Sequence, residues 1–396
     1  MLNQPKRYTH QEIYQIKRWR VISLAVSAFI FNTSEFIPVA VLSDIAKSFA
    51  MPVAQTGLMI TLYAWIVAIL SVPAVLITAK IERRKLLMAM LALFVVSHAV
   101  SAVASNFAVL MLSRTGVALA HAVFWSITAS LVVRVAPKGE QTQALGLLAM
   151  GSALALVLGL PLGRVVGQYL GWRTTFGAIG AVALGVMGLL WYLLPKLPSK
   201  NAGSIASLGK LLKNRQLLSM YILTASLVTA DFTGYSYVEP FLRQINGFSE
   251  NFTTLILLLF GVAGIVASRL FSGWHEQNTR GFLAVSIGAL LASLLLMASC
   301  YFPLSWVVLA LLWGVAMMAI GLSLQVQVLQ LAPEDSDVAM AIFSGVYNVG
   351  IGGGALVGHY VIGEWGLSGV GYVGAMIGLL GVLVALWVFN PFASSK

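Results

Sequence analysis

Polar residues are sparse along this chain and fall in short clusters. Between them stand twelve long apolar runs, near 21–42, 56–78, 85–104, 107–133, 142–166, 174–194, 217–239, 252–273, 281–301, 304–331, 338–362 and 369–390. A helix crossing about 30 Å of hydrocarbon needs about 20 apolar residues, and each run meets that need. The short alternating segments of a membrane β-barrel are not seen. The pattern therefore predicts an all-α polytopic membrane protein with twelve transmembrane helices. An even number of spans places both termini on the same side.

Composition narrows the class further. Of 396 residues, 59% are hydrophobic and only 9% charged, against roughly 25% charged in a soluble domain. The net charge of +11 is read as the basic bias of cytoplasmic loops, not as a nucleic-acid surface. Lys6, Arg7, Lys17, Arg18 and Arg20 precede the first span, and Lys80, Arg83, Arg84 and Lys85 lie between spans two and three. Lys47, Arg173 and Arg243 fall in the opposite loops, while Arg114 and Arg164 lie within spans. That bias predicts cytoplasmic termini. A single cysteine, Cys300, leaves no internal disulfide and no cysteine-based metal site. No cofactor is expected. HExxH and GxSxG are absent, and "GIGGG" (350–354) lacks the lysine and the strand–loop–helix setting of a phosphate loop. An enzyme is not expected, and without a nucleotide-binding loop neither is an ATP-driven pump.

One long polar stretch, "PKLPSKNAGSIASLGKLLKNRQ", divides the chain nearly in half. The expected organisation is a cytoplasmic tail (1–20), a six-helix bundle (21–194), a cytoplasmic linker (195–216), a second six-helix bundle (217–390) and a cytoplasmic end (391–396). The halves echo one another: Ala136-Pro137 and Ala332-Pro333 lie 196 apart, and Gly159, Gly163 and Gly171 precede Gly354, Gly358 and Gly366 by 195. A period near half the length points to duplication, and two related bundles with sites between them form a transporter architecture.

Several polar residues stand where lipid is the solvent. In "FIFNTSEFIPVAVL" (29–42), Asn32 and Glu35 are spaced i, i+3 and share a face. A charge at a helix centre costs roughly 2.5–3.5 kcal/mol, so Glu35 is expected to bind substrate or carry a proton; the alternative is an acid satisfied by a neighbouring helix. In the fourth span Arg114, His121, Trp125 and Thr128 fall within about 60° on a helical wheel. Arg114 supplies a fixed charge, His121 a titratable ring, and Trp125 a flat face suited to a sugar ring. In the seventh span Asp231 and Tyr235 share a face, whereas Glu239 reads as a rim residue. Tyr63, Gln325 and Asn348 add neutral hydrogen-bonding groups, each equally able to hold helices together. The expected substrate site is Asn32, Glu35, Tyr63, His121, Trp125, Asp231, Tyr235, Gln325 and Asn348. The expected proton-coupling set is Glu35, Arg114, Asp231 and His121.

"GLPLGRVVGQYLGWRTTF" (159–176) resembles the fifth-helix signature of the major facilitator superfamily, in its twelve-span drug:proton antiporter branch, through Gly159, Pro161, Gly163, Trp172, Arg173 and Phe176. Together with "FIFNTSEFIPV", "ERRKLL" and "AHAVFWSITAS", the chain is most similar to bacterial sugar efflux transporters of the SotB type. The loop between the second and third helices departs from the pattern. It keeps Arg83 and Arg84 but has Val75, Ala79 and Glu82 where two glycines and an aspartate are usual. The resemblance implies a proton-coupled exporter of sugars or similar polar molecules, of the arabinose, lactose or thiogalactoside type, working by alternating access. It also implies a monomer in the bacterial inner membrane, with Arg83, Arg84, Gly159, Pro161, Gly163, Trp172 and Arg173 in gating or structural roles. The alternatives are a broad-specificity drug:proton antiporter and a non-transporting scaffold or sensor.

Overall fold

The computed structural model of the chain describes residues 9–78, 80–198, 205–271, 278–333 and 335–388. The extreme ends, Ala79 and Lys200 lie outside the described residues. The first half comprises α1 (His10–Ala40), α2 (Leu42–Ser48), α3 (Val53–Ile77), α4 (Arg83–Ala102) and α5 (Phe107–Val135). Its fifth span is composite, with α6 (Gln141–Leu154), a π-helical turn (Ala155–Gly159) and α7 (Leu160–Leu170), and α8 (Trp172–Leu193) completes the half. In the linker lies α9 (Ile205–Lys213). The second half runs through α10 (Arg215–Tyr235), α11 (Val238–Pro240), a π-helical turn (Phe241–Ile245), α12 (Glu250–Leu270), α13 (Thr279–Leu296), α14 (Pro303–Leu331), α15 (Ser336–Trp365) and α16 (Gly369–Val388). Among the described residues, 12 helical stretches are long and apolar enough to cross a membrane.

The starts and stops of these helices follow from short-range chemistry. Helix α1 begins at His10, well before the apolar run, because Thr9 and Glu12 form a reciprocal capping box. Asn106, Asn214 and Asn278 cap α5, α10 and α13 with their side-chain oxygens. The duplication seen at the 195-residue offset has a conformational cause. Gly171 and Gly366 both end their spans at positive φ, 86° and 75°, where a residue with a Cβ is strained. The π-helical turn stands just before Pro161, which has no N–H to give to the preceding turn. There Gly159 meets α1 so closely that a Cβ would overlap Thr33 Oγ1.

Helix pairing repeats between the halves. In the first, α1 packs on α6 and α8, α3 on α5, and α4 on α5 and α8; in the second, α10 packs on α15 and α16, α12 on α14, and α13 on α14 and α16. Two seams join the halves, α3 against α15 and α12 against the α6–α7 span. These seams exchange when the halves are exchanged, so the two six-helix bundles are pseudo-symmetric. Along the first seam Thr61 Oγ1 donates to Gly352 O at 3.0 Å and Trp65 Nε1 to Val349 O at 3.3 Å.

The outside of the molecule is apolar, with Leu158, Leu162, Val182 and Leu383 exposed, as a lipid-facing surface requires. Large aromatic side chains are exposed at both ends: Trp191, Tyr192 and Trp387 at the end carrying the linker, and Tyr169, Tyr301 and Trp365 at the other.

Glu82 takes a structural part at the linker end. Its carboxylate caps α4, accepting the N–H groups of Arg84 and Lys85 at 3.0 Å each, and it accepts Leu197 N–H at 2.5 Å. Arg83 returns the tie by donating its own N–H to Leu197 O at 2.9 Å, and further on Lys210 reaches Asp335, at the start of the second half's α15, at 3.5 Å. Partial burial pushes the Glu82 carboxyl up, but the three N–H donors and Lys85 outweigh it and hold the group below the usual carboxylate range. The stabilisation is therefore full above the ordinary value near 4.3 and fades as pH falls below it. Glu82→Ala is expected to cost about 1 kcal/mol, a typical cap loss. A thermal unfolding series against pH checks this, the gap between variant and parent closing in acid.

Candidate functional site

A buried polar cluster sits midway along α1, α3, α4 and α5, where α5 brings Arg114 and His121 onto the face that meets α1. Arg114 is 1% exposed. It donates from Nη2 to Ser34 O at 2.9 Å and from Nη1 to Ser34 Oγ at 3.2 Å, and its guanidinium lies 4.5 Å from the centre of the Tyr63 ring. Arg114 makes no ion pair among the described residues, so its partner is Ser34 and an aromatic face, not the Glu35 carboxylate. The hydroxyl of Ser34 also lies 2.9 Å from His98 Nε2. Phe94 O, 3.0 Å from His98 Nδ1, can only accept, so Nδ1 donates, and in the neutral ring Nε2 accepts from the hydroxyl.

His121 links this cluster to Glu35. Its Nδ1 is 2.8 Å from the Tyr63 hydroxyl, and its Nε2 is 3.9 Å from Glu35 Oε2. Nδ1 is the only acceptor that the Tyr63 hydroxyl finds among the described residues. With Tyr63 donating there, the ring proton sits on Nε2 and faces the carboxylate. Glu35 keeps 10% of its side chain exposed against 5% for His121, so it is the less buried of the two in this Glu35–His121–Tyr63 relay. Trp125 packs near His121, ring centres 6.2 Å apart, and is half-buried, as is Asn32, one turn before Glu35. Tyr63 thus belongs to the relay.

In the second half Asp231 occupies the corresponding helix, α10. It is 2% exposed, and its Oδ1 accepts Trp313 Nε1 at 2.6 Å while Oδ2 has no hydrogen-bond partner among the described residues. A cavity beside it is lined by Asp231, Tyr347, Val228, Met317, Ile320 and Leu324. Tyr347 lies within electrostatic reach of both Asp231 and Glu35. Tyr235 is packed into an aromatic group with Phe232, Phe260 and Trp313. Just beyond the two carboxylates, toward the end away from the linker, the halves touch: Phe36 stacks on Phe232 with ring centres 6.3 Å apart.

Other expected residues fall elsewhere. Gln325 is exposed and outside the cluster. Asn348 is buried but donates to Ser344 O of its own helix at 3.0 Å, its Oδ1 having no hydrogen-bond partner among the described residues. Arg83 donates to Thr78 O and Arg84 to Trp191 O. Arg173 stacks on Trp172, 4.2 Å from the ring centre, and donates to Ala104 O and Ser48 Oγ. Gly163 meets Ile37 of α1. Glu239 corrects the rim reading. It is fully buried, accepts Ser43 N–H across the halves and lies against Arg164 and Arg243.

Three groups were not anticipated. A histidine in the apolar run around 98 was the visible signal for His98. For Trp313, whose partner is 82 residues away, there was none. Arg164 within a span called for a counter-ion, and Asp44 and Glu239 supply it.

Residues 24–338 match the family model of the Major Facilitator Superfamily. A protein of Helicobacter acinonychis named "Probable sugar efflux transporter" is 54% identical over 384 residues, covering 96% of this chain and 97% of its own. A protein of the same name from Mannheimia succiniciproducens is 51% identical over 386 residues and 96% of each chain. Among solved structures, a bacterial homologue of the human lysosomal transporter Spinster, in an inward-facing and unoccupied conformation, superposes with a TM-score of 0.73 at 15% identity, covering 95% of this chain and 97% of that one. The nucleoside transporter NupG gives 0.73 at 13% identity, covering 94% and 100%.

Proposed function

Because the chain belongs to the Major Facilitator Superfamily, whose members are transporters and not enzymes, we propose that it exports sugars or sugar-like small polar molecules in exchange for protons. The observation that carries this reading is the Glu35–His121–Tyr63 relay set against Arg114. An ionisable acid is costly at mid-membrane depth, and this one keeps a tenth of its side chain accessible and lies 3.9 Å from His121 Nε2. Such a group takes a proton from one side and gives it to the other as access changes. The relatives' names supply the direction and the sugar class.

In this reading the substrate lies between the halves, with Trp125 against its ring and Asp231 Oδ2, Asn32 and Tyr347 offering partners to its hydroxyl groups. Both termini and the linker lie in the cytoplasm of a bacterial inner membrane, following the basic bias. The end closed by Phe36 and Phe232 is then the outer end, and the chamber loads from the cytoplasm. The halves rock about the two seams, Glu35 releases its proton inward, and the substrate leaves outward.

The test is uptake into inside-out vesicles by the purified, reconstituted protein. Arabinose, lactose and a thiogalactoside are expected to accumulate only when the lumen is acid, and to leak out when the gradient is collapsed. Accumulation that ignores the gradient would overturn proton coupling. The apolar lining beside Asp231 favours a second reading, export of larger apolar drugs; uptake of drugs with none of the three sugars would establish it.

A further inference from the structure

Asp231 is a buried acid without a basic partner. It stands at the centre of the span Arg215–Ile245 and is 2% exposed. Its Oδ1 accepts Trp313 Nε1 at 2.6 Å; its Oδ2, also buried, has no hydrogen-bond partner among the described residues, and the side chain makes no ion pair among them. The composition of the second half explains this isolation. Between 217 and 390 the only lysines and arginines are Arg243, Arg269 and Arg280. Arg243 lies twelve residues beyond Asp231, about 18 Å along a helix, and is engaged by Asp44 and Glu250. Arg269 is in the last turn of α12 and Arg280 in the first turn of α13, both at the linker end. From the first half, Arg114 donates to Ser34, and His121 Nε2 faces Glu35. The cavity beside Asp231 has room. Gly321 lines it, and a Cβ built there would meet nothing within 4 Å. Val228, Met317 and Ile320 supply apolar walls, and Tyr347 an aromatic face.

We propose that Asp231 is a specificity-determining residue that takes the ammonium group of an amino sugar, so that hexosamines are bound in preference to neutral hexoses and to their N-acetylated forms. The proposal rests on the sugar-binding reading above and names a class within it. A buried carboxylate with no opposite charge nearby is costly to keep ionised. A sugar hydroxyl leaves that cost in place. An ammonium group removes it, because it brings the missing charge together with three donors, and its bond to a carboxylate is charge-assisted. Trp313 holds Oδ1 and leaves Oδ2 for the ligand. The C–H faces of the sugar ring then rest on the apolar walls, and the Tyr347 ring offers its face to the cation. Glu35 is placed differently, since the His121 ring N–H already faces it.

The experiment measures binding at equilibrium, with no gradient and no transport. The purified full chain in lipid nanodiscs is titrated by calorimetry with galactosamine, galactose and N-acetylgalactosamine at neutral pH. The parent is expected to bind galactosamine at least about tenfold more tightly than the other two, the gap between a charged and a neutral hydrogen bond. Asp231→Asn keeps the side chain's shape and an oxygen for Trp313 but removes the charge, and the preference is expected to vanish. Glu35→Gln is expected to keep the preference; it decides the matter if Asp231→Asn does not fold, because Asp231 is then the acid left in the chamber. Equal affinities in the parent, or no binding of galactosamine, overturn the proposal and leave Asp231 as an acid that carries its own proton. A preference that survives Asp231→Asn, or one that is lost in Glu35→Gln, overturns it as well. A preference that follows Asp231 sustains it even where the vesicles show no proton-driven uptake, and its absence overturns it even where they accumulate neutral sugars.

Discussion

On the proposed function, Glu35→Gln is expected to yield a protein that equilibrates sugar across the membrane but no longer accumulates it. Glutamine matches the shape of the glutamate and still offers an oxygen toward His121 Nε2, now 3.9 Å from Glu35, so the cavity and the helix packing persist. What disappears is the exchangeable proton. One charge moved through 100 mV supplies about 2.3 kcal/mol, which sustains a roughly fiftyfold gradient. Without the proton that drive is gone. Reconstituted Glu35→Gln is expected to show sugar counterflow within a few-fold of the parent and no accumulation under an imposed gradient. Full accumulation by the variant would remove Glu35 from the mechanism and leave Asp231 as the acid to examine.

Arg114→Ala is expected to be the second most damaging change, through a different route. The guanidinium donates twice to Ser34 and lies on the Tyr63 ring, and Tyr63 in turn orients His121. Removing it frees the tyrosine, and with it the tautomer that faces the carboxylate. Gradient-driven uptake should fall at least about tenfold, the effect of roughly 1.4 kcal/mol at the barrier, while sugar binding falls less. Arg114→Lys should recover little, since an ammonium cannot stack as a plane and donate to two Ser34 oxygens in a fixed fork. Equal losses in binding and in gradient response would mean that Arg114 only holds the bundle together.

Much of the architecture is legible in the sequence. Membrane spans announce themselves by length and apolarity, which are local properties. The duplication was legible because the same local need, a residue free to take positive φ at a span's end, recurs at Gly171 and Gly366. The Arg114–His121–Trp125 stripe was legible because helical periodicity is fixed. Partners were harder to read, since a partner is chosen by tertiary packing. Periodicity gives Arg114 as a fixed charge on that stripe, but not that it donates to Ser34 and lies on the Tyr63 ring. Glu239 was expected at the rim because it sits near a span's end, but its burial depends on α2 and α7 arriving from the other half. Trp313 gave no sign that it would donate to Asp231. Gln325 shows the converse: a polar residue in an apolar run that the fold leaves exposed and outside the Arg114 cluster.

The exposed aromatic side chains at the two ends carry a last consequence. Trp191, Tyr192 and Trp387 at one end, and Tyr169, Tyr301 and Trp365 at the other, are of the type that settles at headgroup depth. On the alternating-access reading proposed above, they moor each bundle vertically, so that rotation stays available but sliding through the bilayer does not. Lipids whose chains are too short or too long to match the spacing of these two rings would strain the moorings in one orientation more than in the other. Bilayer thickness thereby becomes a silent partner in how fast the molecule turns over.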